Sequence, residues 1–460
     1  MGFGGVMYRE SLQELISWKD QYNRKPLIIR GARQTGKTWL VREFGNEYFD
    51  NLIEINLDRY PEKAGLFSSN IEQSLQYILI DTNQSIVLGK TLLFLDEIQN
   101  TPKIIPLLRY FYEEMPELHI IATGSLLDFV LEDHEFSMPV GRISYFYLGP
   151  MTFEEFLLAN GERGLLELLK KSKVSDIPEP LHIKLLEYVK LYWIIGGMPA
   201  AVQAYISTKD IRLVQQEHES ILQTYHDDFS KYQRKVDTYL LRKIFKRIPS
   251  QLGKKVMYSH ILRDETSKKI AQHLHLLSMA RILHPVHHSG GNGVPLGSEM
   301  NERDFKLLFL DIGLLSTIFK LHIHQVANLD ELLFVNNGVM AEQFIGQHLL
   351  YRHGSRQKPD LFYWRRQAKS SSAELDYLVE YQGKVIPIEV KAGKSGSLKS
   401  LHMFITKKKS PVAIRFNTNQ GITENLSSSI GSKEANPFIL LSLPLYQVGQ
   451  VERLYLKLSS

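Results

Sequence analysis

The stretch Gly31-Ala32-Arg33-Gln34-Thr35-Gly36-Lys37-Thr38 decides the fold of the first part of this chain. It satisfies every fixed position of the G-x-x-x-x-G-K-[ST] phosphate-binding loop. The apolar run Leu27-Ile28-Ile29-Arg30 precedes it and a helical pattern follows over residues 39–44, so the loop joins a predicted strand to a predicted helix. In that setting the glycines let backbone N–H groups converge on phosphates, and the helix N-terminus adds its positive end.

The residues of this loop that are predicted to bind the nucleotide are Gly31, Gln34, Thr35, Gly36, Lys37 and Thr38. Lys37 is expected to reach the β- and γ-phosphates, and Thr38 to hold Mg²⁺. ATP and Mg²⁺ are therefore the predicted cofactors. A glycine turn that matches the pattern by chance is the alternative, and the strand–loop–helix setting argues against it.

A second apolar strand ends in two acids, in the stretch Thr91-Leu92-Leu93-Phe94-Leu95-Asp96-Glu97. A continuous apolar run of this length is typical of a strand covered on both faces of a parallel sheet. We expect Asp96 to act on the metal ion through water, and Glu97 to polarise the attacking water as a general base. The alternative is that both acids only open the next helix, where negative charge is favourable. The two interpretations are compatible.

The order of elements around these motifs resembles the AAA+ branch of the phosphate-loop ATPases. A strand at residues 51–58 lies between the two motifs, and a later strand ends in Thr123-Gly124-Ser125. The resemblance implies that Thr123 or Ser125 senses the γ-phosphate. It also implies that Arg142, just before a fifth strand at residues 143–148, acts on a nucleotide of a neighbouring subunit in a ring. An arginine on a surface loop is the alternative for Arg142.

Composition limits the remaining possibilities. A chain of 460 residues is long enough for about three domains. It contains no cysteine, which excludes disulfides and thiolate zinc sites and makes a cytoplasmic location the expectation. No apolar run approaches the roughly 18 residues that span a bilayer, and the N-terminus lacks the pattern of a secretory signal. We therefore expect no membrane partner.

Positive charge is concentrated in one window, residues 231–270. It holds twelve Lys or Arg against three Asp or Glu, a net charge of +9 in a chain whose total is +5. Such a local excess is expected of a surface that binds a phosphate backbone. The candidate DNA-binding residues are Lys254, Lys255, Lys268 and Lys269. A solvated helix face is the alternative.

The hydrophobic pattern predicts an α/β multidomain protein. Residues 1–150 form the ATPase core, and residues 151–235 read as a helical lid over the nucleotide. Within 236–328, helices at 239–246, 254–262 and from Thr266, followed by a strand and a glycine-rich turn, predict a winged helix-turn-helix. We expect this module to bind the DNA backbone without reading sequence, and a module that only packs or contacts protein is the alternative.

The last segment, residues 329–460, has the order α-β-β-β-α-β and resembles the restriction-endonuclease-like PD-(D/E)XK fold. The resemblance implies that Asp376 and Glu389 hold Mg²⁺ and that Lys391 orients the attacking water or stabilises phosphorane charge. Glu342 completes the metal shell, as the first-helix acid does in archaeal-type Holliday-junction resolvases. A surface hairpin with an ordinary ion pair, or a fold that binds DNA without cutting it, are the alternatives.

Over its whole length the chain resembles bacterial and archaeal AAA+ ATPases that carry a winged helix and a nuclease-like domain. The motifs that carry the resemblance are GARQTGKT, LLFLDEIQ, ATGS, GGMP at 196–199, the Leu310-Asp311-Ile312-Gly313 stretch and ELDYLVE…VIPIEVKAG. The leading hypothesis is an ATP-dependent enzyme with a Mg²⁺-dependent nuclease that acts on branched DNA such as Holliday junctions. A nucleotide-controlled switch in regulation or defence, and a DNA translocase with a silent nuclease fold, are the alternatives.

Overall fold

The computed structural model describes residues 8–131, 139–229, 237–321, 338–352, 354–366, 373–391, 398–430 and 434–458. The strands of these residues form one five-stranded and one eight-stranded sheet. No helix in these ranges is long and apolar enough to cross a membrane.

The five-stranded sheet is the core of the N-terminal part. Its strands are β1 Leu27–Arg30, β2 Asn51–Asn56, β3 Thr91–Asp96, β4 His119–Gly124 and β5 Ser144–Tyr147. They lie in the order β2-β3-β4-β1-β5, and each neighbouring pair is parallel. The helices around them are α1 Ser11–Lys19, α2 Lys37–Tyr48, α3 Ile71–Thr82, α4 Leu108–Glu114 and α5 Leu127–Leu131. Apolar clusters cover both faces of the sheet, as a parallel sheet requires. The predicted α/β core with a parallel sheet is confirmed.

A group of helices follows the first sheet. They are α6 Phe153–Ala159, α7 Arg163–Lys171, α8 Glu179–Ile195, α9 Pro199–Thr208 and α10 Ile211–Asp228. The first of them begins with a capping box, in which the Thr152 hydroxyl accepts from the Glu155 N–H and the Glu155 carboxylate accepts from the Thr152 N–H. Next come α11 Thr238–Arg247, α12 Tyr258–Ile261, α13 Ser267–Met279 and α14 Ile312–Ile318.

The eight-stranded sheet occupies the C-terminal half. Its strands are β6 Leu283–Ser289, β7 Met300–Phe309, β8 Phe362–Arg365, β9 Glu374–Tyr381, β10 Lys384–Val390, β11 Val412–Asn417, β12 Ile422–Ser428 and β13 Asn436–Pro444. The order is β12-β13-β11-β10-β9-β8-β6-β7. The helices of this half are α15 Val339–Leu350, α16 Lys399–Lys408 and α17 Val451–Leu456.

The eight-stranded sheet crosses the boundary predicted between residues 328 and 329. The hairpin β6–β7, expected as the wing of a separate module, joins the later strands because β6 pairs in parallel with β8 through His287↔Phe362 and His288↔Tyr363. One apolar cluster also includes residues of α6–α10, of the middle helices and of this sheet. The middle and C-terminal segments therefore do not form separate sheets, and the hairpin is not a free wing.

The helix predicted over 254–262 is much shorter in the structure. Only α12, Tyr258–Ile261, is helical there. The residues before it are not helical: the Val256 N–H donates to Phe305 O of β7 (2.9 Å), and Gly253 takes a left-handed conformation (φ 70°). A backbone hydrogen bond to a distant strand replaces the local helical bonds that the apolar spacing favoured.

His218 joins three helices at the centre of the helical group. Its Nε2 lies 2.9 Å from Ile195 O at the end of α8, and its Nδ1 lies 2.8 Å from Thr317 Oγ1 of α14. The side chain is fully buried, and burial lowers the pKa of His218 to about 4. The neutral imidazole, which donates from Nε2 and accepts at Nδ1, is the form that these contacts need.

His218→Phe is expected to be less stable than the wild type at pH 7.5, and the difference should narrow in acid. The unfolded chain protonates His218 below its ordinary pKa of about 6.5 whereas the folded chain does not, so the stabilisation from this side chain is complete above 6.5 and is lost toward pH 4. The difference in stability should shrink by about 2 kcal/mol between pH 7.5 and 5. Thermal unfolding of both proteins at the two pH values measures it. If the stability difference between the two proteins were the same at both pH values, the assignment of a buried neutral imidazole would be contradicted.

Candidate functional site

The phosphate-binding loop lies between β1 and α2, at the carboxyl edge of the parallel sheet. Gly36 caps α2 with a left-handed conformation (φ 89°), and Gln34 is left-handed as well (φ 62°). Lys37 is 5 % exposed, and its Nζ donates to Gly31 O (3.0 Å) and Ala32 O (2.7 Å). Burial lowers the pKa of Lys37 to about 8. The ammonium therefore rests on loop carbonyls, and phosphate oxygens could replace these acceptors.

Asp96 brings the ends of β3 and β4 together with the start of α2. Its carboxylate accepts hydrogen bonds from Thr38 Oγ1 (3.2 Å), from Asn56 Nδ2 (3.2 Å) and from Thr123 Oγ1. Burial raises the pKa of Asp96 above its ordinary value. A hydroxyl and a carboxylate in contact beside a phosphate loop are the donor set that fits Mg²⁺.

Glu97 follows Asp96 in a left-handed backbone conformation (φ 57°) that is unusual for a residue with a side chain. Its Oε2 accepts from Ser125 Oγ (3.3 Å) and from Gln99 Nε2. Gly124 leaves the room for this arrangement, because a Cβ there would lie 2.6 Å from Gln99 Oε1. Backbone strain of this kind persists where the surrounding contacts fix a side chain in one place. The structure thus gathers Lys37, Thr38, Asp96, Glu97, Thr123 and Ser125 at one edge of the sheet.

Helices α9 and α10 contact the phosphate-binding loop from outside the sheet. Tyr225 OH donates to Arg33 O (2.9 Å), Arg33 pairs with Asp228, and Gln34 Nε2 lies 3.5 Å from Thr224 Oγ1. Pro199, the last residue of the GGMP motif, would lie 3.3 Å from a Cβ placed on Gly36. A role of these helices as a lid over the nucleotide stays a prediction.

Asp311 connects the GGMP motif with the C-terminal half. Its fully buried carboxylate accepts from Gly197 N (2.7 Å), Gly313 N (2.9 Å) and Leu314 N (3.1 Å). Gln347 Nε2 of α15 lies 3.4 Å from the same carboxylate. A side chain on Gly196 would collide with Asp311, so the glycines allow the two motifs to pack. These contacts give a structural reason for two motifs whose role the sequence did not indicate.

Two arginines near the loop were missed by the sequence analysis. Arg9 is 3 % exposed, and it donates to Thr35 O (2.9 Å) and Gly149 O (2.8 Å) and pairs with Glu155 (3.1 Å). Arg281, at the end of α13, donates to Asp128 Oδ2 (2.9 Å) on α5. Neither arginine belongs to a motif, and each contacts residues that are far from it along the chain, so only the fold could reveal them.

Arg142 lies on the surface in an ion pair with Glu113 of the same chain (2.7 Å). Its side chain is 45 % exposed. A role at the nucleotide of a neighbouring subunit stays a prediction.

The second predicted cluster lies on α15, β9 and β10. Glu342 is in the first turn of α15, Asp376 is on β9, Glu389 is on β10, and Lys391 follows that strand. Asp376 Oδ2 accepts from Val390 N (2.7 Å), and Lys391 Nζ pairs with Glu389 Oε1. Burial raises the pKa of Glu342, Asp376 and Glu389, and Asp376 beside Glu342 and Glu389 raises theirs further. Crowded carboxylates of this kind favour a cation between them.

Lys306 of β7 is a further member of this cluster that the sequence analysis missed. Its Nζ lies 2.5 Å from Glu374 Oε1, 3.8 Å from Asp376 Oδ1 and 3.9 Å from Glu342 Oε2. Burial alone would lower the pKa of Lys306, but Glu342, Asp376 and Glu374 raise it above its ordinary value. The residue lies in the segment expected to be a wing, and only the pairing of β6 with β8 brings its strand here.

The carboxylates fit a divalent cation by their chemistry. They supply only oxygen ligands, as Mg²⁺ prefers, and Glu389 Oε2 is buried without a hydrogen-bond partner among the described residues. As they stand, no three His, Asp or Glu side chains of the described chain are grouped so that they could hold a metal ion. A metal ion would therefore require a small rearrangement of these side chains.

The predicted DNA-binding lysines lie in two places. Lys268 and Lys269 are exposed at the start of α13. Lys254 is exposed, and Lys255 pairs with Asp304 of β7 (3.1 Å). The loop that carries this second pair passes the carboxylate cluster, since a Cβ on the preceding glycine, residue 253, would lie 3.4 Å from Glu342 Oε2. Three basic residues of the charged window, Lys231, Arg234 and Lys235, lie outside the described residues.

Comparisons with known families agree with the geometry of the first site. Residues 23–157 match the family described as an AAA domain. The N-terminal part of this chain is an AAA-type P-loop ATPase domain. Residues 186–325 match a domain of unknown function (DUF8612), and residues 337–430 match a second one (DUF4143). No curated protein matches the chain.

Solved structures similar to this ATPase chain include the Walker-type ATPase paby2304 of Pyrococcus abyssi, at 17 % identity and a TM-score of 0.43, over 68 % of this chain and 96 % of that one. The Aeropyrum pernix ORC2 protein aligns at 12 % identity and a TM-score of 0.36, over 69 % and 94 %. The Thermotoga maritima RuvB Holliday junction branch migration motor aligns at 14 % and 0.29, over 60 % and 89 %. No functional conclusion follows from likeness at this level.

Proposed function

We propose that the protein is an ATP-dependent DNA-processing enzyme, in which the ATPase domain is coupled to a Mg²⁺-dependent nuclease site at Glu342, Asp376, Glu389 and Lys391. The observation that carries the proposal is that these carboxylates, partly or fully buried, lie beside two lysines in one cluster of the C-terminal half. Buried acids are unfavourable without a function or a partner. The same arrangement supports phosphodiester hydrolysis because it combines oxygen ligands with an ammonium.

At the ATPase site each predicted residue has a role that its position allows. Lys37 would leave the loop carbonyls to bind the β- and γ-phosphates, and Thr38 and Asp96 would hold Mg²⁺, which would neutralise phosphate charge. Glu97 would accept a proton from the water that attacks the γ-phosphorus, while the bond from that phosphorus to the β–γ bridging oxygen breaks and ADP leaves. Thr123 and Ser125, which donate to Asp96 and Glu97, report the presence of the γ-phosphate.

At the nuclease site, Glu342, Asp376 and Glu389 would hold Mg²⁺, which supplies Lewis-acid stabilisation of the phosphodiester. Lys391 orients the attacking water, and as the water oxygen bonds to phosphorus the bond to the leaving oxygen breaks. The Lys391 ammonium stabilises the negative charge that develops on the phosphorane.

DNA is the proposed partner, with branched forms such as Holliday junctions as candidates, because a motor beside a nuclease can remodel a junction that the nuclease then cuts. The exposed Lys254 lies on the loop that borders Glu342, and Lys268 and Lys269 extend the basic surface. A homo-oligomeric ring that brings Arg142 to a neighbour's nucleotide, and a cytoplasmic location, belong to the same proposal.

Lys391→Ala is expected to lower Mg²⁺-dependent DNA cleavage by at least about 100-fold and to leave ATP turnover unchanged, because the ammonium acts only at the second site. End-labelled single-stranded, duplex and four-way-junction DNA, incubated with Mg²⁺ with and without ATP, measures the cleavage. Lys37→Ala is the reciprocal variant and should lose ATP turnover. Lys384→Ala, an exposed lysine on the same strand β10, is the matched control. Equal cleavage by Lys391→Ala and the wild type would remove the nuclease assignment.

A second candidate function is a nucleotide-controlled switch whose C-terminal half binds DNA or a partner without cutting. The position of Lys306 among the carboxylates favours it, because an ammonium already neutralises part of the charge that a metal ion would neutralise. This candidate predicts slow ATP turnover that does not respond to DNA. Hydrolysis stimulated by DNA would count against it.

A further inference from the structure

Burial and a contact with an aromatic ring fix Lys306 within the carboxylate cluster. Its side chain is 5 % exposed, and the ring of Tyr363 lies 5.2 Å from its Nζ. Two residues earlier on β7, Asp304 pairs with Arg365 and Lys255 and accepts from Tyr363 OH. These contacts fix the strand next to Lys306. Lys306 can therefore avoid the cluster only by a change of rotamer.

The charge of the cluster explains why a lysine is present. Glu342, Glu374, Asp376 and Glu389 bring four acids to one end of the sheet, against the ammonium groups of Lys306 and Lys391. Glu374 and Asp376 are two residues apart on β9, so their side chains share one face. Without a cation between them, such acids repel one another and either separate or take up protons.

A metal ion would bind the carboxylates that Lys306 approaches. Lys306 Nζ lies within 4 Å of Glu342 and Asp376, two of the three predicted ligands, and the third, Glu389, keeps one buried oxygen without a partner. Mg²⁺ and Mn²⁺ bind carboxylate oxygens at roughly 2.0–2.2 Å, closer than the ammonium lies to either of these two ligands. An ammonium and a divalent ion cannot both occupy this space without strong repulsion.

We propose that Lys306 is the resident counter-cation of this site: it holds Glu342, Glu374 and Asp376 together while no metal is bound, and a divalent metal ion binds in competition with it. The inference rests on the metal site of the proposed function. It adds Lys306 and Glu374 as positioning residues, supplied from either side of the predicted domain boundary. It also explains why the described acids are close together and yet not arranged as a metal site.

Lys306→Met, which keeps most of the length of the side chain and removes its charge, tests the competition. Mn²⁺ affinity, measured by titration calorimetry and by the loss of the free-ion EPR signal, should rise at least about tenfold because one positive charge no longer opposes the ion. Without metal the variant should unfold several degrees below the wild type, and Mn²⁺ should restore the difference. Lys306→Arg keeps the charge and should bind Mn²⁺ no more tightly than the wild type. Lys384→Met controls for loss of a lysine from the sheet.

Mn²⁺ affinity of Lys306→Met equal to or below that of the wild type would overturn the inference, and so would a loss of stability that Mn²⁺ does not restore. If the variant fails to fold without metal, crystals of the wild type soaked in Mn²⁺ provide a second readout. The anomalous signal of Mn²⁺ should lie on the carboxylates with Lys306 turned away from Glu374, and Lys306 still bonded to Glu374 would contradict the proposal. Higher Mn²⁺ affinity of Lys306→Met, with no DNA cleavage by the wild type, would support this inference and contradict the nuclease assignment. DNA cleavage by the wild type, with the same Mn²⁺ affinity in Lys306→Met, would support the nuclease assignment and contradict this inference.

Discussion

Glu97→Gln is expected to lower ATP turnover by at least about 100-fold while ATP binding stays within about threefold of the wild type. Glutamine has nearly the shape of glutamate and can still meet Ser125 and Gln99 by hydrogen bonds, but it cannot take a proton from the attacking water. Residue 97 has a left-handed backbone, and glutamine fits it as well as glutamate does, so we expect the site to keep its geometry. Phosphate release at saturating ATP and equilibrium binding of a fluorescent ATP analogue measure the two effects.

Glu47→Gln on α2 is the matched control, because this exposed glutamate lies on the helix that follows the phosphate-binding loop and has no predicted role. It should turn over ATP like the wild type. If Glu97→Gln retained more than about a tenth of the wild-type turnover, the general base would have to be sought elsewhere. If it lost ATP binding as well, Glu97 would be needed for the shape of the site and its catalytic role would not follow.

Asp311→Ala is expected to destabilise the folded protein by about 3–5 kcal/mol, since it leaves three buried N–H donors without an acceptor. Those donors belong to Gly197, Gly313 and Leu314, and the alanine also leaves a cavity beside Gln347. In a chain of this size the apparent Tm should fall by about 5 °C. Differential scanning fluorimetry measures the change.

Asp210→Ala is the control that separates the effect of burial from the effect of helix capping. Asp210 also caps a helix, by accepting from Arg212 N (2.8 Å) at the start of α10, but its side chain is partly exposed. Its loss should destabilise by only about 1 kcal/mol. Similar Tm values for the two variants would show that the bridge through Asp311 is not what joins the GGMP motif to the C-terminal half.

The ATPase core could be predicted because its signals are local. The loop from Gly31 to Thr38 and the acids Asp96 and Glu97 each follow a buried strand, and parallel strands bring their carboxyl ends to one edge. Thr123 reaches Asp96 for the same reason. A motif that lies within one strand–loop–helix unit is recognisable before the fold is known.

The second site could be predicted only in part. Asp376, Glu389 and Lys391 lie on one hairpin, and their spacing places them together. Lys306 comes from a strand about 70 residues earlier, and no pattern indicates that β6 will pair with β8. Arg9 and Arg281 could not be predicted for the same physical reason. The fold brings each of them to partners far away in the sequence, and no motif in the adjacent residues indicates these contacts.

The apolar cluster that the helices share with the eight-stranded sheet also limits which parts of the molecule can move. Helices α6–α10, the middle helices and the eight-stranded sheet share this cluster, in which rings such as Phe153 and Phe344 pack against one another (5.9 Å between centroids). None of these parts can therefore swing alone without exposing such rings to water. The ATPase sheet has its own two apolar layers, and its contacts with the rest include polar ones, among them Tyr147 N to Ser355 O and Arg9 to Glu155. A change of nucleotide is therefore expected to shift the ATPase domain and the rest of the molecule against each other as two rigid bodies. We do not expect four separate domains to move one after another.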